Sequence, residues 1–178
     1  MSRRLAFLSK PKVGRQAEAM AEFSVGTYQA LEDELLSAGL GSRSRPHAIA
    51  ALAGGLISAV GLRAIRAIAA EGDLLSRFEE SYCQRLHAGE AAPAPGFSRS
   101  ALAAEIGQAR QIYLEHIRGA GGVLDGTDRL RAAIFWHLNS GLLREGEGDP
   151  YDGPLRSISD AAGARCAQAY QYFHFHLN

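Results

Sequence analysis

The chain has 178 residues, enough for one compact domain or for a domain with a smaller appendage. Hydrophobic residues make up 47% and charged residues 21%, a balance that excludes wholesale disorder. Nineteen basic residues offset nineteen acidic ones, so no whole-molecule positive field drives nucleic-acid binding, and any such contact must come from a local patch.

Residues 1–14 carry Arg3, Arg4, Lys10 and Lys12, broken by Pro11 and Gly14, and read as a basic arm. The apolar run Leu5 to Leu8 is too short for an export signal. Apart from Lys10 and Lys12, all seventeen basic residues are arginines, which make forked contacts that lysine cannot. A first helix is expected from Gln16 to Ala38, with Met20, Phe23, Leu31 and Leu35 on one broad stripe and Gly26 weakening its middle. Gly39 and Gly41 supply its stop.

Ser44 is placed to cap a second helix from Pro46 to Ala70. Ala51, Gly55 and Ala59 form a smooth strip four residues apart, suited to close approach of another helix. A helix this poor in polar groups before Arg63 belongs in the core or at a subunit interface, and the three small residues are its candidate contact face. The uncharged stretch Pro46–Leu62 falls short of the roughly 20 apolar residues of a membrane span, so no membrane association is expected.

Asp73 is positioned to cap a third helix to His87, with Leu74, Leu75, Phe78, Tyr82 and Leu86 on its apolar face. The Pro- and Gly-rich stretch 89–97 marks a linker between two three-helix parts, 15–88 and 98–178. Three further helices follow. One starts at Ser98 or Ser100 and is stopped near Arg118 by Gly119–Gly122; one runs from Thr127 to Arg144. After the polar loop 145–154 the last begins at Ser157, which forms a capping-box spacing with Asp160. No stretch alternates with period two, so strands are not expected. The fold class is all-α: about six helices in a compact bundle, divisible into two subdomains.

Residues capable of chemistry are few. Cys83, His87 and Glu79 share a helical face, but no oxyanion-stabilising element accompanies them, and cysteine on an apolar helix is usually buried. Two cysteines make neither a disulfide framework nor a CxxC site, which fits a reduced, cytoplasmic setting. His174 and His176 diverge by about 200° on a helix and cannot share a metal there. Asp125 and Asp128 lack the flanking ligands of a calcium loop. No metal or cofactor is expected.

Two segments have the look of DNA-binding units. In Leu102–Gly119, Ala103 and Gly107 occupy the packing and turn positions of a helix-turn-helix. The segment AGARCAQAYQYF, Ala162–Phe173, resembles the end of the helix-turn-helix of TetR-type repressors. Ala162 and Gly163 match the turn, and Tyr170, Tyr172 and Phe173 match the aromatic end. The resemblance implies nucleic-acid contact by Arg165, Gln168 and Gln171, with Tyr170 on the backbone. Charge opposes it, because residues 101–178 hold seven arginines against nine acidic residues. The spacing Arg131 to His137 is similar to the ribonuclease motif of HEPN-family helical domains, which implies Arg131 and His137 as catalytic residues of paired subunits. Both Trp136 and His137 are otherwise expected near the core.

The sequence therefore reads as a non-enzymatic helical interaction or regulatory module acting on a protein partner or a second copy of itself. A nucleic-acid-binding regulator and a HEPN-like ribonuclease are the alternatives. On the terminal helix, Tyr170, Phe173 and Leu177 should pack inward, with Gln168, Gln171 and His174 nearer solvent, and Tyr172 and Phe175 available to an interface.

Overall fold

The computed structural model describes residues 3–39, 46–66, 68, 70–89, 98–138 and 153–178. Among them, six helices and one small antiparallel hairpin follow in order: α1 Arg3–Ser37, α2 Pro46–Ala64, α3 Glu71–Ala88, α4 Arg99–Leu114, β1 Arg118–Ala120, β2 Val123–Asp125, α5 Thr127–His137 and α6 Gly153–His176. The all-α expectation holds.

α2 is the axis of the bundle. Every residue from Ile49 to Gly61 is buried, as a helix apolar on all sides requires. It packs most extensively on α4, then on α1 and α6, so residues from both sides of the expected linker join one hydrophobic cluster. The window His47–Ala64 is apolar and long enough to cross a membrane by composition, but 78% of it is buried inside the fold, where a core helix lies. Close approach of α4 depends on Gly55, where a Cβ would fall 2.4 Å from that of Ala109. Ala51, Gly55 and Ala59 are thus spent on packing within the molecule and cannot serve as a face between molecules. From α3, the buried Tyr82 hydroxyl donates to the Ala50 carbonyl at 2.8 Å, satisfying the one polar atom that ring carries into the core.

Several local expectations give way. The basic arm is the first part of α1: Pro11 and Gly14 each cost helix stability, but Val13, Ala17 and Met20 anchor the turns that follow. α2 ends six residues early at Ala64, where Asn178 Nδ2 donates to the Ala64 carbonyl at 3.1 Å and stops the helix from outside. Asp73 is not a cap but a first-turn residue paired with Arg77 at 3.0 Å, and Ala70 occupies the cap position. Ser98 does cap α4, accepting from the Ala101 N–H.

The expectation of no strands fails at Gly119–Gly122. Gly121 (φ 59°) and Gly122 (φ 80°) form a tight left-handed turn that pairs Ala120 with Val123, the hairpin connection such a Gly-Gly pair favours. α6 begins at Gly153, so Ser157 and Asp160 lie inside it. There Ser157 bonds Glu34 and Asp160 pairs with Arg131. Residues 90–97 of the expected linker, 145–152 of the expected loop and the last third of the expected 127–144 helix lie outside the described residues.

Candidate functional site

Helix α5 carries two faces. Leu130, Ile134 and the following Leu138 recur every four residues and are buried. Trp136 falls off that stripe by about 200° from Ile134 and is 60% exposed, correcting the expectation that it lies near the core. The neighbouring Phe135 packs partly into the cluster and meets the indole edge-on at 6.0 Å between ring centres, which holds Trp136 upright.

Trp136 stands between two clefts and lines both. One, of about 620 Å³, is closed by Ile112 and His116 from α4 and its end, and by Ala133 and His137. The other, of about 640 Å³, is formed with Phe135 and Arg131 on α5 and with Arg156 and Asp160 on α6. Ile112 is itself 46% exposed, so apolar surface continues from α5 onto α4. The second cleft carries charge at its rim: Arg131 lies 3.5 Å from Asp160 and 3.8 Å from Asp128.

His137 lines the first cleft. Its Nδ1 is 2.6 Å from the hydroxyl of the buried Tyr113. Burial pushes the Tyr113 phenol far up and lowers the imidazole, so both groups are neutral at neutral pH. Arg131 turns the other way, against α6, where a Cβ on Gly163 would lie 3.0 Å from its Cγ. The two HEPN-like candidates, Arg131 and His137, therefore line different clefts, as six residues along a helix dictate.

The DNA-reading candidates are also dispersed. No turn exists at Gly107 or at Ala162–Gly163, because α4 and α6 run through both, so neither segment is a helix-turn-helix. Arg165 lies half-buried on α1, its Nη2 within 2.4 Å of where a Gly26 Cβ would be. Gly26, a weak point of α1 by propensity, is thus the seat of that guanidinium. Tyr170 is buried, while Gln168 and Gln171 are exposed. Phe173 is fully buried edge-on to Phe23 at 5.2 Å, and Leu177 is partly buried against the same cluster, as the terminal helix pattern required.

Tyr172 and Phe175, the remaining interface candidates, stay 41% and 61% exposed. Tyr172 leans on Phe23 and His176, and Phe175 covers the hairpin turn at Gly122. Cys83 is buried with its thiol pushed up by desolvation, and Glu79 pairs with Arg110 at 3.3 Å, so the thiolate that nucleophilic chemistry needs is disfavoured. The Trp136 ridge was legible only as a position out of phase with the Leu130, Ile134 and Leu138 stripe, and the clefts beside it depend on α4 and α6.

Comparison with protein-family models, with curated proteins and with solved structures finds no match to this chain.

Proposed function

We propose that the protein is a helical interaction module that assembles with a second copy of itself through the α5 face. The observation that carries this reading is Trp136, a large indole 60% exposed on a ridge between two clefts. Tryptophan burial dominates many interfaces, and an exposed one flanked by apolar surface marks a contact site. A ridge bordered by clefts is self-complementary under a two-fold axis: each indole enters a cleft of the opposite copy. The rim then offers Arg156 of one copy, which has no ion pair among the described residues, to the Asp128–Arg131–Asp160 cluster of the other.

Less supports the alternatives. A groove-reading helix needs its arginine forward, and Arg165 rests on Gly26. For paired-subunit RNA cleavage, Arg131 and His137 line separate clefts and Arg131 is already held by Asp128 and Asp160.

Sedimentation velocity over a concentration series tests the proposal. Wild type is expected to shift towards a dimer as concentration rises, and Trp136→Glu to stay monomeric with an unchanged circular dichroism spectrum. A wild type that remains monomeric throughout, or a Trp136→Glu variant that dimerises equally, overturns it.

A further inference from the structure

A third cleft, of about 970 Å³, lies where the end of α2, the hairpin and the start of α5 meet. Its walls mix polar and apolar surface and carry more cationic than anionic side chains. Arg63 reaches it from the last turn of α2, Arg118 from β1 and Arg129 from the first turn of α5, all three exposed. Glu115 and Asp125 line the same cleft, yet none of the three arginines forms an ion pair among the described residues. Unlike Arg131, paired to Asp128 and Asp160, Arg118 and Arg129 keep forked donors for a ligand.

The setting is also held in shape. Arg63 Nε and Nη2 donate to the Leu114 carbonyl at 3.2 and 2.9 Å, tying α2 to the end of α4 and fixing that guanidinium at the mouth. Gly119 presses the hairpin onto Tyr170, where a Cβ would fall 2.5 Å from the ring, so α6 backs the cleft. α5 opens into it at Gly126 with no side chain capping its first turn, which adds the positive end of a helix to the three cations.

We propose that this cleft binds a small phosphate-bearing molecule that also carries hydroxyl groups. Arg118 and Arg129 grip the phosphate by their forks, with Arg63 at the mouth, while Asp125 and Glu115 accept from the hydroxyls. The cleft has ample room for a ligand of that size. The inference is independent of the self-assembly reading. The two sites nevertheless touch, because His116 and Arg129 also line the cleft beside Trp136.

Calorimetric titration of the full chain with pyrophosphate and with ribose 5-phosphate at low ionic strength provides the test. Wild type should bind both at one site. Arg118→Gln/Arg129→Gln should weaken both by about tenfold or more, since each charge-assisted hydrogen bond is among the strong ones. Asp125→Asn should weaken ribose 5-phosphate alone, and Arg99→Gln, at the far end of α4 and outside this cleft, should change neither. Should the double variant lose its circular dichroism spectrum, Arg129→Lys gives the same reading, because it keeps the charge and loses the fork. Failure of wild type to bind either probe overturns the proposal. So does undiminished binding by the folded arginine variants, or a short DNA duplex that occupies the same arginines and displaces ribose 5-phosphate.

Discussion

A single methyl group at Gly55 tests how closely α2 and α4 are fitted. In Gly55→Ala the new Cβ falls 2.4 Å from the Ala109 Cβ, 2.9 Å from the Arg110 nitrogen and 3.0 Å from the Ala109 carbonyl carbon. Two of these are backbone atoms, so no rotamer change relieves the overlap and α4 must move away from the most extensive helix contact in the fold. Overpacking of this kind costs about 1–3 kcal/mol, and alanine in place of glycine inside a helix returns about 1 kcal/mol. The net expectation is a loss of up to about 2 kcal/mol, or roughly 2–4 °C in Tm for each kcal/mol in a chain of this size. Gly14 isolates the propensity effect, because it lies within α1 with nothing within 4 Å of its Cβ position. Gly14→Ala is expected to stabilise by about 0.5–1 kcal/mol. Urea unfolding followed by circular dichroism measures both. Stabilisation of similar size in the two variants would refute the steric reasoning.

Three further outcomes follow from burial and charge. Phe173→Ala, which empties a fully buried ring site against Phe23, should cost about 3–5 kcal/mol in the same unfolding assay; a loss below about 1 kcal/mol would mean that the site collapses freely. The imidazole of His137 is lowered by burial from its ordinary 6.5, so the unfolded chain binds its proton first. That contribution to stability is complete above 6.5 and is lost as pH falls towards the folded value. His137→Gln should flatten this part of the stability–pH curve, and an unchanged curve would contradict it. Glu32 is shifted the other way: burial raises its carboxyl, and Oε1 is buried without a hydrogen-bond partner. Its ionised form opposes folding at neutral pH, a penalty relieved as pH falls through the folded value towards 4.5. Glu32→Gln should therefore stabilise the protein at neutral pH and lose that advantage in acid, read from urea midpoints at the two conditions.

The helices were legible where apolar periodicity ran long. Ile49 to Gly61 announced a core helix, and Tyr170, Phe173 and Leu177 their inward face. Boundaries were less so, because the groups that set them come from far along the chain: Asn178 closes α2, and Gln16 Nε2 fixes the tail by donating to the Leu177 carbonyl at 2.9 Å. The hairpin misled because Gly119–Gly122 stops a helix as readily as it turns a strand, and three-residue strands are too short to show alternation. The site was the least visible part. Ala-Gly and Arg-x5-His patterns are local and implied sites that continuous helices then separated. The Trp136 ridge and the arginine cleft are made by α4, α5, α6 and the hairpin meeting in space.

Self-assembly through the α5 face is tested most directly by the emission of the chain's one tryptophan, Trp136, recorded for wild type across a concentration series. A blue shift and growing protection from acrylamide quenching, developing together with the dimer seen in sedimentation, is the predicted result. Red-shifted emission that stays fully open to acrylamide while the protein is dimeric would place the contact elsewhere and contradict the account.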